Sequence, residues 1–152
     1  MINIICVGKI KERYLQEGIN EYLKRLKPFY DIQITEIKEI TTNDISKNII
    51  EEEKLILSKI KNNDYVITLE IEGNNLSSEE LSKHLNSLLT YHNSDIVFVI
   101  GGSYGLGENI KKRSNFALSL GKNTYPHQLV RLIFLEQLYR SFMIIHNTKY
   151  HK

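Results

Sequence analysis

The sequence predicts an α/β fold, a mainly parallel sheet flanked by helices, in one domain over residues 1–152. Two features carry this expectation. Strand-like apolar runs alternate with segments of helical period from one end of the chain to the other. One of those runs, Ile96–Ile100, is apolar without a break, the pattern of a strand covered on both faces at the centre of a parallel sheet.

The elements follow in order. Ile2–Val7 reads as a buried strand; it lacks a basic head and a small-residue cleavage site, so a signal peptide is not expected. Leu15, Ile19, Tyr22, Leu23 and Leu26 keep helical spacing, and Pro28 ends that helix. Ile32 and Ile34 alternate with polar neighbours as a second strand. Ile45, Ile49, Ile56 and Ile60 mark one face of a second helix, and residues 65–71, rich in β-branched side chains, form a third strand. Ser77 and Glu80 have the spacing of a capping box, opening a helix that carries Leu81, Leu85, Leu88 and Leu89. After Ile96–Ile100 come a glycine-rich run at 101–107, a short polar helix near Glu108–Arg113, and a last strand alternating through Phe116, Leu118 and Leu120. A long helix over about 129–145 and a polar tail finish the chain. That helix is apolar on more than one stripe, because Val130, Phe134, Met143 and Ile144 add to the row of Leu129, Leu132, Ile133, Leu135, Leu138, Phe142 and Ile145. One sheet covers one side only, so either the helix is central or a second copy of the chain covers the rest; a homodimer is the expectation.

Composition narrows the classes. A hydrophobic content of 41% in 152 residues supplies a core. No apolar run is long enough to span a bilayer, so no membrane association is expected. Cys6 is the only cysteine, which excludes a disulfide framework within the chain and suits a reducing, cytoplasmic home. The net charge of +2 permits an anionic partner without demanding one. The five histidines show no ligand spacing, and no metal site is expected.

The glycine run admits several readings. Gly105 and Gly107 begin a dinucleotide pattern, but Ile110 stands where its last glycine belongs, and no Gly-Lys-Ser/Thr closes a phosphate loop. Gly101-Gly102-Ser103-Tyr104-Gly105 spells a nucleophile elbow between strand and helix, with His146 or His151 left as the base of a serine hydrolase. A tight strand-to-helix turn explains one or two of the glycines. A pocket for S-adenosylmethionine explains the density of glycines, because a bare backbone can approach adenine and ribose closely.

Six segments together resemble one family. They are Ile5-Cys6-Val7-Gly8-Lys9-Ile10-Lys11, Leu69-Glu70-Ile71-Glu72-Gly73, Phe98-Val99-Ile100-Gly101-Gly102-Ser103-Tyr104-Gly105, Tyr125-Pro126-His127-Gln128-Leu129-Val130-Arg131, Glu136-Gln137-Leu138-Tyr139-Arg140 and Tyr150-His151-Lys152. In this order, over the whole chain, they resemble the RlmH family, pseudouridine N3-methyltransferases of large-subunit (23S) ribosomal RNA in the SPOUT class. The resemblance implies an α/β sheet with a C-terminal trefoil knot, a rare exception to chain-topology rules. It implies a homodimer acting on ribosomal RNA, with S-adenosylmethionine held by Leu69, Gly101, Leu120, Gly121, Lys122, Asn123, Thr124 and Tyr125.

The chemistry sets further expectations. N3 of a pseudouridine carries an imide proton, so the site needs a base or cations that stabilise the ring anion. His127 stands beside the expected cofactor loop, Tyr150 and His151 lie on a tail that could reach a partner's pocket, and Arg131 and Lys152 could neutralise charge on the ring or on phosphate. Lys9, Lys11, Arg13 and the Lys111-Lys112-Arg113 cluster offer a phosphate-binding surface across a dimer. With no recognition module, a preformed ribosomal surface is the expected substrate. A non-catalytic RNA-binding dimer remains the alternative outside enzymology.

Overall fold

The computed structural model describes residues 1–152. The elements are β1 (Ile2–Val7), α1 (Arg13–Leu26), β2 (Ile32–Ile37), α2 (Ile45–Leu57), β3 (Tyr65–Asn75), α3 (Ser78–Tyr91), β4 (Ile96–Ile100), α4 (Glu108–Arg113), β5 (Phe116–Ser119) and α5 (His127–Ile145). Five strands form one sheet in the order β2-β1-β4-β3-β5, and every pairing is parallel. The α/β architecture with a parallel sheet flanked by helices is therefore as expected.

Strand alternation sends successive side chains to opposite faces and builds two cores. Ile2, Ile4 and Cys6 of β1 join Ile19, Leu26, Leu85, Phe134 and Leu138 from α1, α3 and α5. Ile5 and Val7 of the same strand join Ile56 of α2 and Ile110 of α4. The central strand β4 is buried at every residue, which accounts for its unbroken apolar run.

Local signals act where the sequence puts them. Ser77 Oγ accepts from the Glu80 N–H at 3.1 Å, and Glu80 Oε1 accepts from the Ser77 N–H at 2.9 Å, closing the capping box of α3. A cap of this kind contributes about 1 kcal/mol. Asp44 Oδ1 caps α2 by accepting from the Lys47 N–H at 3.1 Å.

Several boundaries differ from the periodicity. Helix α2 stops at Leu57, and Ile60 packs on the core from the turn beyond it. Helix α5 begins two residues before its apolar stripe, because Pro126 takes the cap position and its carbonyl accepts from the N–H groups of Leu129 and Val130. Strand β3 runs on to Asn75: Leu118 of β5 registers with both Leu69 and Asn74, so residues between them bulge from the ladder. The strand β5 ends at Ser119 and leaves Leu120 to the following loop.

The long helix α5 lies on the sheet, with Phe98 and Phe134 ring centres 4.6 Å apart, and is flanked by α1 and α3. Phe134, Leu135, Leu138, Phe142 and Met143 are buried. Leu129, Ile133, Ile144 and Ile145 remain partly exposed.

Candidate active site at the carboxyl edge of the sheet

Parallel sheets of this kind expose ligand sites beyond the carboxyl ends of their strands. Here a cavity of about 190 Å³ opens beyond β3, β4 and β5. Leu69, Glu70 and Ile71 come from the bulged part of β3. Gly101, Gly102, Ser103 and Gly105 come from the loop after β4. Leu120, Gly121, Asn123, Thr124 and Tyr125 come from the loop after β5, with His127 and Val130 from α5 closing the wall.

The β4 loop is folded back on itself. The Gly105 N–H donates to the Gly102 carbonyl at 3.1 Å, and Gly105 sits at φ +84°. A Cβ on Gly101 would stand 2.9 Å from the Gly105 carbonyl carbon. Two stretches of bare backbone therefore touch at the cavity floor, an approach that only glycine allows. The β5 loop is tied down by Ser119, whose hydroxyl donates to the Ile71 carbonyl at 2.8 Å and accepts from the Gly121 N–H at 3.1 Å.

Of the residues expected to hold a cofactor, the structure gathers Leu69, Gly101, Leu120, Gly121, Asn123, Thr124 and Tyr125 around this cavity. Lys122 belongs to the same loop but is exposed and does not line it. His127 lines it, with Nδ1 3.4 Å from Ser103 Oγ and a buried Nε2 that has no hydrogen-bond partner.

Arg131 lies elsewhere. It is 2% exposed, its Nη1 pairs with Glu36 Oε2 at 2.7 Å, and its Nη2 donates to the Gly8 carbonyl at 3.1 Å. Within one chain this guanidinium anchors the turn after β1 and is absent from the cavity wall.

The tail is docked rather than frayed. Tyr150 OH donates to Glu136 Oε1 at 3.1 Å, and burial, the Tyr22 hydroxyl and Glu136 hold the phenol well above its ordinary range. Arg140 Nε donates to Glu136 Oε1 at 2.9 Å, and Nη1 meets His151 Nδ1 at 3.1 Å. His151 Nε2 lies 2.6 Å from Glu79 Oε1, which holds that carboxyl below its usual range. The structure does not bring Tyr150 or His151 to their own chain's cavity. The basic clusters also divide: Arg113 Nη2 donates to the carbonyls of Lys61 and Asp64, each at 2.9 Å, while Lys111 and Lys112 stay at the surface.

Helix α2 also buries two carboxylates that the hydrophobic periodicity does not single out. Glu52 and Glu53 share the apolar face of α2 with Ile49 and Ile56, at spacings of three, four and seven from Ile49. Charged residues on an apolar stripe were the available signal. Glu53 accepts from the Ile110 N–H at 3.0 Å and from Asn109 Nδ2 at 2.9 Å, holding the start of α4. Glu52 accepts from the Ile40 N–H at 3.0 Å.

Comparison with known proteins adds independent findings. A family model described as "Predicted SPOUT methyltransferase" matches residues 1–151. Proteins named "Ribosomal RNA large subunit methyltransferase H" are similar over 99% of both chains: 52% identical in Pediococcus pentosaceus, 49% in Finegoldia magna and 46% in Carboxydothermus hydrogenoformans. A solved structure of a probable methylase family protein from Haemophilus influenzae aligns at TM-score 0.58 and 13% identity, covering 99% of this chain and 70% of that one. At that identity the likeness speaks for the fold.

Proposed function

The chain belongs to the SPOUT methyltransferase family, and from that premise we propose that it methylates large-subunit (23S) ribosomal RNA at N3 of a pseudouridine, using S-adenosylmethionine. The observation that carries this reading is the cavity at the carboxyl edge, floored by glycine backbone and walled by the loop after β5. Bare N–H and C=O groups there suit an adenine edge and a ribose, and Leu69, Leu118 and Val130 supply apolar cover for a flat ring. Leu69, Gly101, Leu120, Gly121, Lys122, Asn123, Thr124 and Tyr125 hold the cofactor, with Lys122 contributing main-chain atoms. When bound, it supplies an electrophilic methyl group whose carbon–sulfur electron pair stays on sulfur.

The protein's own task is the N3 proton. His127 is the cavity's imidazole and takes that proton, so that N3 presents a lone pair. Tyr150, His151 and Lys152 enter the cavity of a second copy, where they face the nucleotide. Arg131 acts from below by holding the Gly8 turn beneath His127. A homodimer is supported by the apolar residues of α5 that one chain leaves partly exposed. Lys9, Lys11, Lys111 and Lys112 are exposed or nearly so and suit phosphate contact. The hydrolase alternative loses support, since neither His146 nor His151 lines the cavity that holds Ser103, and His151 is held by Arg140 and Glu79.

The test is methyl transfer from labelled S-adenosylmethionine to 70S ribosomes, 50S subunits and naked 23S RNA, followed by nucleoside mapping. Label in a methylated pseudouridine, strong in assembled particles and weak in naked RNA, is expected. Absence of label from RNA in all three would overturn the reading.

A further inference from the structure

We propose that Glu39 and Glu52 are positioning residues for His127: together they keep its proton on Nε2 and leave the Nδ1 lone pair free beside Ser103. The proposal rests on the methyltransferase reading above, in which His127 takes the N3 proton.

The geometry is set where the carboxyl ends of β1 and β4 meet the start of α5. His127 turns Nδ1 toward Ser103 Oγ, 3.4 Å away. Its other nitrogen points inward, buried and without a hydrogen-bond partner. A buried polar atom left unpartnered is costly, so the surrounding charges decide which tautomer the ring adopts.

Those charges are asymmetric. The point where a Gly8 Cβ would stand lies 3.9 Å from His127 Nε2 and 3.6 Å from Glu39 Oε2. Gly8 has φ +87° and no side chain, so the imidazole and the carboxylate face the same open point. Glu52 closes the corner from α2. It is 8% exposed, and its Oε1 lies 3.5 Å from where a Gly102 Cβ would stand. Burial raises its carboxyl above the usual range, the charge of Glu39 adds to that, and His127 opposes it. Arg131 also reaches this corner through the Gly8 carbonyl, and Glu36 already pairs with it.

A negative field on the inner side favours N–H at Nε2. Nδ1 is then the acceptor, and in the resting protein the Ser103 hydroxyl donates to it. During reaction the N3 proton passes to Nδ1, and the freed N3 lone pair forms the new bond to the methyl carbon. The carbon–sulfur electron pair remains on sulfur. The imidazolium, stabilised by the two carboxylates, later returns its proton to water. Glu39 and Glu52 do not line the cavity; they act through the ring.

Nitrogen-15 spectroscopy of the neutral imidazole tests this in the wild-type protein. A protonated Nε2 and an unprotonated Nδ1 at His127 are expected, and the reverse tautomer would overturn the proposal. In the double variant Glu39→Gln, Glu52→Gln the preference should weaken and kcat should fall roughly 10- to 100-fold. KM for ribosomes and for cofactor should stay within about twofold, the acid limb of the rate profile should move to lower pH, and the Asp variants should restore part of kcat. Wild-type kcat and an unmoved profile in the double variant would also overturn it. The reverse tautomer in the wild-type spectrum would overturn the proposal even where the double variant does not fold, and the single variants Glu39→Gln and Glu52→Gln then carry the kinetic comparison. Failure of the wild-type protein to methylate ribosomal RNA would instead sink the functional reading, leaving the tautomer result to stand alone.

Discussion

Ser103 Oγ stands 3.4 Å from His127 Nδ1, joining the glycine loop after β4 to the first residue of α5. The pair sits on the cavity wall, so the two residues should separate by role. His127→Ala is expected to lower kcat by about 100-fold or more, the scale of a lost general base. Ser103→Ala, which removes one hydrogen bond to the ring, should cost less than about 10-fold. Single-turnover methylation of ribosomes measures both, and wild-type turnover in His127→Ala would take that residue out of proton transfer.

Gly101→Ala probes the backbone cradle. The new Cβ would meet the Gly105 main chain at 2.9 Å, and neither backbone has a flexible end that can yield. The loop must shift, so affinity for S-adenosylmethionine should drop by about 10-fold or more, on the order of 1.4 kcal/mol. Calorimetric titration reads this directly; unchanged affinity would mean that the cofactor does not rest on this loop.

His151→Ala separates the tail from the cavity. The side chain is held by Arg140 and Glu79, away from its own chain's cavity. Turnover should fall sharply while cofactor affinity stays near wild type, if the tail serves the nucleotide in a second copy's site. Equal turnover in the variant would confine the tail to packing.

Arg131→Met tests the strut under Gly8. It leaves the Gly8 carbonyl without its donor and Glu36 without its cation. The Glu36 side chain is 39% exposed and recovers water, which limits the loss to about 1–3 kcal/mol. A lowered midpoint in urea, accompanied by a loss of turnover as His127 shifts, is expected; wild-type stability would show the strut to be dispensable.

Cys6 supplies a pH signature. Burial raises its thiol from 9.0 to about 12. A group raised on folding contributes stability that is present below its unfolded value and lost as pH rises toward the folded one, so Cys6 should destabilise the protein progressively from pH 9.0 to about 12. Thiol reagents near pH 8 should label the native protein slowly and the guanidinium-unfolded protein at once. Prompt labelling of the native protein would show that β1 opens readily.

The regular elements were legible because their signals are local. Period-two and period-3.6 patterns, the Ser77–Glu80 box and the unbroken run at Ile96–Ile100 each need only neighbours along the chain to read. The glycine run was visible as a feature and ambiguous in meaning, since the same letters spell a turn, a hydrolase elbow and a cofactor loop. What fell outside such reading involves partners far apart in sequence. Leu118 registers twice against β3, and that doubling opens the bulge at the cavity. Glu52 stands in the sequence among two other glutamates of α2, Glu51 and Glu53, yet packing turns it under Gly102.

By itself, then, the sequence determined the alternation of strands and helices, the caps, the apolar surplus of α5 and the motifs that resemble one family. Tertiary structure alone decided the strand order β2-β1-β4-β3-β5 and the joining of the loops after β3, β4 and β5 around one cavity. It also decided that Ser103 and the Gly8 turn lie against His127, that Glu39 faces the Gly8 turn and Glu52 the Gly102 turn, and that Tyr150 and His151 dock on α5. The physical reason is range: periodicity and capping are settled within a few residues, whereas crossover order and side-chain burial are settled by how distant faces pack.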